Sequence, residues 1–100
     1  MNITKTTKDY DFVLHIEGRI DIFTSKSLAE EINAATENKF STLIIDFSKV
    51  DYISSTGLRV IIDTQKKINA AGLKFELTNM SAGVKSVFDM TGFSGILKIT

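Results

Sequence analysis

The apolar positions along the chain switch repeatedly between a period of two and a period near 3.6, the signatures of strand and helix. Ile3 to about Lys5 predicts a short strand turned by Thr7, Lys8 and Asp9. Phe12 to Glu17 then alternates, with Phe12, Leu14 and Ile16 on one face and Val13, His15 and Glu17 on the other. Two strands so close predict an antiparallel hairpin. A helix is expected to start between Thr24 and Ser27, where Ser27 and Glu30 have capping-box spacing, and its inward stripe is Leu28, Ile32 and Ala35. Thr42 to Phe47 (TLIIDF) is an almost unbroken apolar run, as expected of a central strand covered on both sides or nearly so.

A polar loop is expected next. A second helix follows from about Ser55 to Ala71, stopped by Gly72, with Leu58, Ile61, Ile62, Gln65 and Ile68 inward. Leu73, Phe75 and Leu77 alternate as a strand. A short helix from Ser81 towards Met90 turns Val84, Val87 and Phe88 inward and ends at Gly92, and Ile96 to Ile99 predicts a last strand. Strands separated by single helices imply parallel neighbours joined by right-handed crossovers. The expected architecture is α/β, ordered β-β-α-β-α-β-α-β, with a mixed five-stranded sheet and three helices mainly on one face. The whole chain, 1–100, is expected to be one domain.

Composition narrows the function. Twelve basic residues balance twelve acidic ones, and they are interspersed, so no net field favours nucleic acid or an anionic membrane. There is no cysteine, which removes disulfides, thiolate metal sites and cysteine nucleophiles together. The N-terminal stretch MNITKTTKDYDFVLHIEG lacks an apolar signal core and no run approaches the length of a membrane span. A cytoplasmic location without membrane insertion is expected.

The stretch from Asp46 to Leu58 holds the candidate chemistry. A buried strand ends there and Ser54, Ser55 and Thr56 sit at the start of a helix, the edge of an open α/β sheet where ligands collect. Free N–H groups in a first helical turn tolerate phosphate. One of the three hydroxyls must also serve as the ordinary N-cap. Gly57 costs about 1 kcal/mol relative to alanine inside a helix, which points to a close approach there, by a ligand or by the neighbouring strand.

These residues carry a resemblance. Asp46-Phe-Ser48 followed by Ser55-Thr-Gly-Leu58 resembles the signature of the STAS domain, in which a strand ending in Asp-Leu-Ser leads to Asp-Ser-Ser/Thr-Gly-Leu. Gly18-Arg-Ile-Asp21 followed by Thr24 resembles that family's turn before the first helix. Ser86-Val-Phe-Asp-Met-Thr-Gly-Phe93 is similar to a stretch near the end of the anti-sigma factor antagonists. The resemblance implies a regulatory binding module without enzymatic activity or cofactor. Its unmodified form would bind an anti-sigma factor that is also a serine kinase, freeing a sigma factor. Phosphorylation of Ser55 would abolish binding, and a PP2C-type, metal-dependent phosphatase would restore it. Asp21, Thr24, Ser54, Ser55, Thr56, Gly57 and Leu58 are then the partner-binding positions. Two departures stand out: Ser54 replaces the family's usual acidic residue, and the antagonists usually continue into another helix beyond the position of Thr100. Both favour an alternative, a STAS scaffold subunit docking on the ATPase of an ABC-type lipid transporter.

Other groups are weaker candidates. His15, the only histidine, suits a partly buried structural position on a strand. Asp21, Asp46 and Asp51 could gather near strand ends and hold Mg²⁺, but loop aspartates are more often caps and turn formers. Met80, Met90, Phe88 and Phe93 could line a partner groove, although core packing is their ordinary role.

Overall fold

In the computed structural model, which describes residues 1–100, the chain forms β1 (Asn2–Lys8), β2 (Asp11–Ile20), α1 (Thr24–Ala35), β3 (Thr42–Ile53), α2 (Ser55–Ala70), β4 (Lys74–Thr78), α3 (Ala82–Met90), a 3₁₀ turn (Phe93–Gly95) and β5 (Lys98–Ile99). The five strands are ordered β1-β2-β3-β4-β5. Only the β1–β2 pair is antiparallel, and the other three pairs are parallel. The expected architecture is present.

The register aligns Leu14, Ile45, Leu77 and Ile99 in one row and Phe12, Leu43 and Phe75 in another. Most of these residues are buried, and they share one core with Leu28 and Ile32 of α1, Ile61 and Ile68 of α2, and Val84 and Phe88 of α3. All three helices therefore cover one face of the sheet. Phe47 and Phe88 meet edge to face across the α3 contact, with ring centroids 6.3 Å apart, a favoured aromatic geometry. Lys5, opposite Leu14 and so on the helical side, reaches Glu31 of α1 at 2.8 Å.

The other face of the sheet is open. Its rows are Val13, Ile44, Glu76 and Lys98, and then His15, Asp46 and Thr78. Ile44 and Asp46 are only half-buried, so β3 is covered on one side and not on both.

Several boundaries differ from the expectation. The turn before β2 lies at Asp9 and Tyr10, so β1 runs on through Thr7 and Lys8; Asp9 takes the left-handed conformation at φ 56°. The polar loop after Phe47 does not exist, because β3 continues to Ile53. The pairing with β2 slips twice, between His15 and Glu17 and between Gly18 and Arg19. Each slip adds a residue on β3, so its buried positions run Phe47, Val50, Ile53, every third residue. That bulged pattern hides the alternation by which strands are read.

In α1 the pair Ser27 and Glu30 does not form the cap. The helix starts at Thr24, with Phe23 in the N-cap position. In α2 the inward stripe includes buried Thr64, while Gln65 is half-buried. Leu73 and Val87 are also half-buried, and the last strand is reduced to Lys98 and Ile99. Gly72 and Gly92 take left-handed φ of 75° and 78° after α2 and α3, the conformation that ends a helix at low cost. No helix is long and apolar enough to cross a membrane.

Candidate functional site

The candidate site is the junction where β2 and β3 end and α2 begins. Ser54 is extended (φ −86°, ψ 170°), and its hydroxyl accepts from Gly57 N–H at 3.1 Å. Ser54 N–H donates to Ile20 carbonyl at 2.8 Å, which fixes the start of α2 to the end of β2. Ser54 is thus the N-cap. Ser55 and Thr56 lie in the first turn, exposed, and their hydroxyls have no protein partner.

Gly57 and Leu58, by contrast, are buried. A Cβ built on Gly57 would lie 2.6 Å from Ile20 Cγ2 and 2.9 Å from Ile53 Cγ1. Of the two explanations the sequence left open for this glycine, close contact with neighbouring strands accounts for it. Leu58 forms part of the floor of an open groove of about 250 Å³, lined also by Ser55, Arg59, Ile62, Thr91 and Phe93.

Asp21 and Thr24 build the adjacent turn. Asp21 Oδ1 accepts from the N–H groups of Phe23 and Thr24, both at 2.9 Å. Thr24 Oγ1 accepts from Asp21 N–H at 2.8 Å and donates to Arg19 carbonyl at 2.7 Å. The Asp21 carboxyl is held below the usual range, first by the Thr24 N–H bond; desolvation opposes it, and Phe23 N–H, the Thr24 hydroxyl and the Arg19 charge add to the lowering. Their side chains thus do structural work, while Ile22 and Phe23 between them project outward, Phe23 at 84% exposure. Ile22, Phe23 and Arg59 were not singled out from sequence. Two adjacent apolar residues inside a turn were the available signal for the first two; Arg59 could have been found by its four-residue spacing from Ser55.

On the open face a second polar group forms. His15 Nδ1 lies 2.8 Å from Asp46 Oδ2, and His15 Nε2 lies 2.8 Å from Thr6 Oγ1. Asp46 Oδ1 accepts from Asn79 Nδ2 at 3.0 Å and from Ser48 N–H at 2.9 Å. Burial raises the Asp46 pKa, but the bonds from Asn79, His15 and Ser48 outweigh it and hold the carboxyl at about 2. Asp46 is therefore committed to the sheet, and Asp21, Asp46 and Asp51 do not gather into a metal-binding group. Of the residues considered for a partner groove, Phe88 is core and Met80 half-buried; Phe93 lines the groove beside Ser55, and Met90 is 84% exposed.

Known proteins resemble this chain in sequence and in fold. The anti-sigma-B factor antagonist of Bacillus subtilis (strain 168) is 30% identical over 100 residues, spanning 100% of this chain and 91% of that protein. An anti-sigma factor antagonist from Mycobacterium paratuberculosis superposes with a TM-score of 0.89 at 22% identity, covering 98% of this chain and 83% of the other. The phosphorylated form of the Bacillus cell fate determinant SpoIIAA superposes with a TM-score of 0.74 at 17% identity, covering 99% and 91%. The STAS domain family matches residues 2–100. With the family matched over residues 2–100 and a 30% identical relative covered over 91% of its length, the chain belongs to the STAS domain family.

Proposed function

We propose that this chain is an anti-sigma factor antagonist, a cytoplasmic binding module switched by phosphorylation of Ser55. The observation that carries the reading is the division of labour between adjacent serines. Ser54 makes the capping bond, so Ser55 keeps an exposed hydroxyl with no structural duty. A kinase can modify it without removing anything the fold needs.

The partner in this reading is an anti-sigma factor with serine kinase activity, and a PP2C-type phosphatase reverses the modification. Ser55 Oγ forms the new O–P bond, the bond from the γ-phosphorus of ATP to ADP breaks, and the hydroxyl proton passes to the kinase's base. Ser55 and Thr56 supply contact surface, Leu58 the groove floor, and Asp21, Thr24, Ser54 and Gly57 hold the two turns in position. The chain acts by binding rather than by catalysis. Support comes from the antagonist function in the name of the 30% identical relative and from SpoIIAA, which shares the fold and takes a phosphorylated form.

Incubation with the kinase encoded beside the gene and ATP, followed by peptide mass spectrometry, tests the assignment. Label on Ser55, lost in Ser55→Ala, is expected. Label on Thr56 that survives Ser55→Ala would overturn the residue assignment. No label would favour the constitutive scaffold on a transporter ATPase.

A further inference from the structure

The groove beside Ser55 has a cation on its wall. Arg59 stands four residues after Ser55 on α2, and both line the same groove. Side chains at that spacing meet on one helix face. Arg59 pairs with Asp63, four residues further on, with Nε to Oδ1 at 3.4 Å and both side chains largely exposed. An exposed pair of this kind is weak. It also has the less favourable order, since an acidic group N-terminal to its base at this spacing is the better arrangement, in keeping with the helix dipole. A phosphate on Ser55 would have the better order, and the first turn of α2 contains no acidic residue to compete for the cation.

We propose that Arg59 is the ligand for a phosphate carried on Ser55, a role that rests on reading Ser55 as the acceptor. On modification the guanidinium leaves Asp63 and forks onto two phosphate oxygens, a bidentate geometry that arginine favours. The phosphate, with roughly −1.5 to −2 charge at neutral pH, outcompetes the single charge of the carboxylate. The ion pair then spans the mouth of the groove above Leu58, Ile62 and Phe93, so the modified domain presents a charged strap where the unmodified one presents an apolar recess.

The test uses the full chain with phosphoserine installed at position 55 during translation, which needs neither kinase nor partner. Phosphorus NMR then follows the second ionisation of the phosphate in the parent, in Arg59→Gln and in Arg59→Lys. The expected midpoint lies lower in the parent than in Arg59→Gln by about 0.5 pH unit or more, with Arg59→Lys between them. In the parent the Arg59 Nε–H signal is expected to move on phosphorylation, a readout that requires no variant. Equal midpoints with an unmoved Nε–H signal would overturn the proposal. Absence of kinase labelling would remove the acceptor reading, whereas equal midpoints with an unmoved Nε–H signal remove the Arg59 role alone.

Discussion

Gly57 and Ile20 touch so closely that a single methyl group cannot be placed between them: a Cβ on Gly57 would sit 2.6 Å from Ile20 Cγ2. Ile20 carbonyl also accepts the Ser54 N–H. The end of β2 and the first turn of α2 are thus one packed unit, and the exposed serine rides on it. Gly57→Ala relieves the backbone entropy cost of glycine but overpacks this contact, an effect of about 1–3 kcal/mol. We expect a lower melting temperature by several degrees and weaker partner binding, because α2 must lift away from Ile20 and Ile53. A melting curve equal to the parent's would mean that the contact yields freely.

Adjacent serines should respond in opposite ways. Ser54→Ala removes the capping bond to Gly57 N–H and should cost about 1 kcal/mol while leaving Ser55 available to a kinase. Ser55→Ala removes an exposed hydroxyl with no partner and should change stability by less than about 0.5 kcal/mol. Chemical denaturation of both variants checks this. A larger loss in Ser55→Ala than in Ser54→Ala would assign the cap to the wrong serine.

Charge on Ser55 should act on the interface rather than on the fold. Helix N-termini accommodate negative charge, so Ser55→Asp should melt close to the parent. Against a surface shaped for a neutral hydroxyl, the same charge should weaken binding to the serine-kinase anti-sigma factor at least about tenfold, or about 1.4 kcal/mol. Calorimetric titration and a melting curve on the same pair of proteins measure both. Unchanged affinity would rule out a charge switch.

Asp46 ties the open face of the sheet together and should govern acid stability. Its folded carboxyl ionises at about 2, below the ordinary 3.8. The native state therefore keeps the ionised form where the unfolded chain has already taken up a proton. That stabilisation is fully present above pH 3.8 and is lost as the pH falls through about 2. Allowing for partial solvent access, it amounts to about 1–2 kcal/mol. Asp46→Asn should be less stable than the parent at pH 7, with the difference shrinking towards zero near pH 2. A constant difference across that range would show that packing, not ionisation, makes Asp46 matter.

Element order, the single antiparallel pair, most of the inward stripes of the three helices and the place of the serine cluster were legible in the order of residues alone. Each of these is a local property. Phe12, Leu14 and Ile16, or Leu28, Ile32 and Ala35, reveal their faces through spacing alone, and Ser54, Ser55 and Thr56 mark a helix start because hydroxyls cap helices. What the sequence could not decide was long-range. Ser54 rather than Ser55 is the cap because Ile20 carbonyl, 34 positions away, fixes the Ser54 backbone. The extension of β3 to Ile53 depends on two slips against β2 that turn an alternating pattern into a three-residue one. The start of α1 is the local exception: Arg19, Asp21 and Thr24 close a hydrogen-bonded turn within six residues, and the pair Ser27 and Glu30 is not used as a cap. The reason for Gly57, too, is visible only once Ile20 and Ile53 are packed against it, since a glycine records the need for space but not the neighbour that takes it.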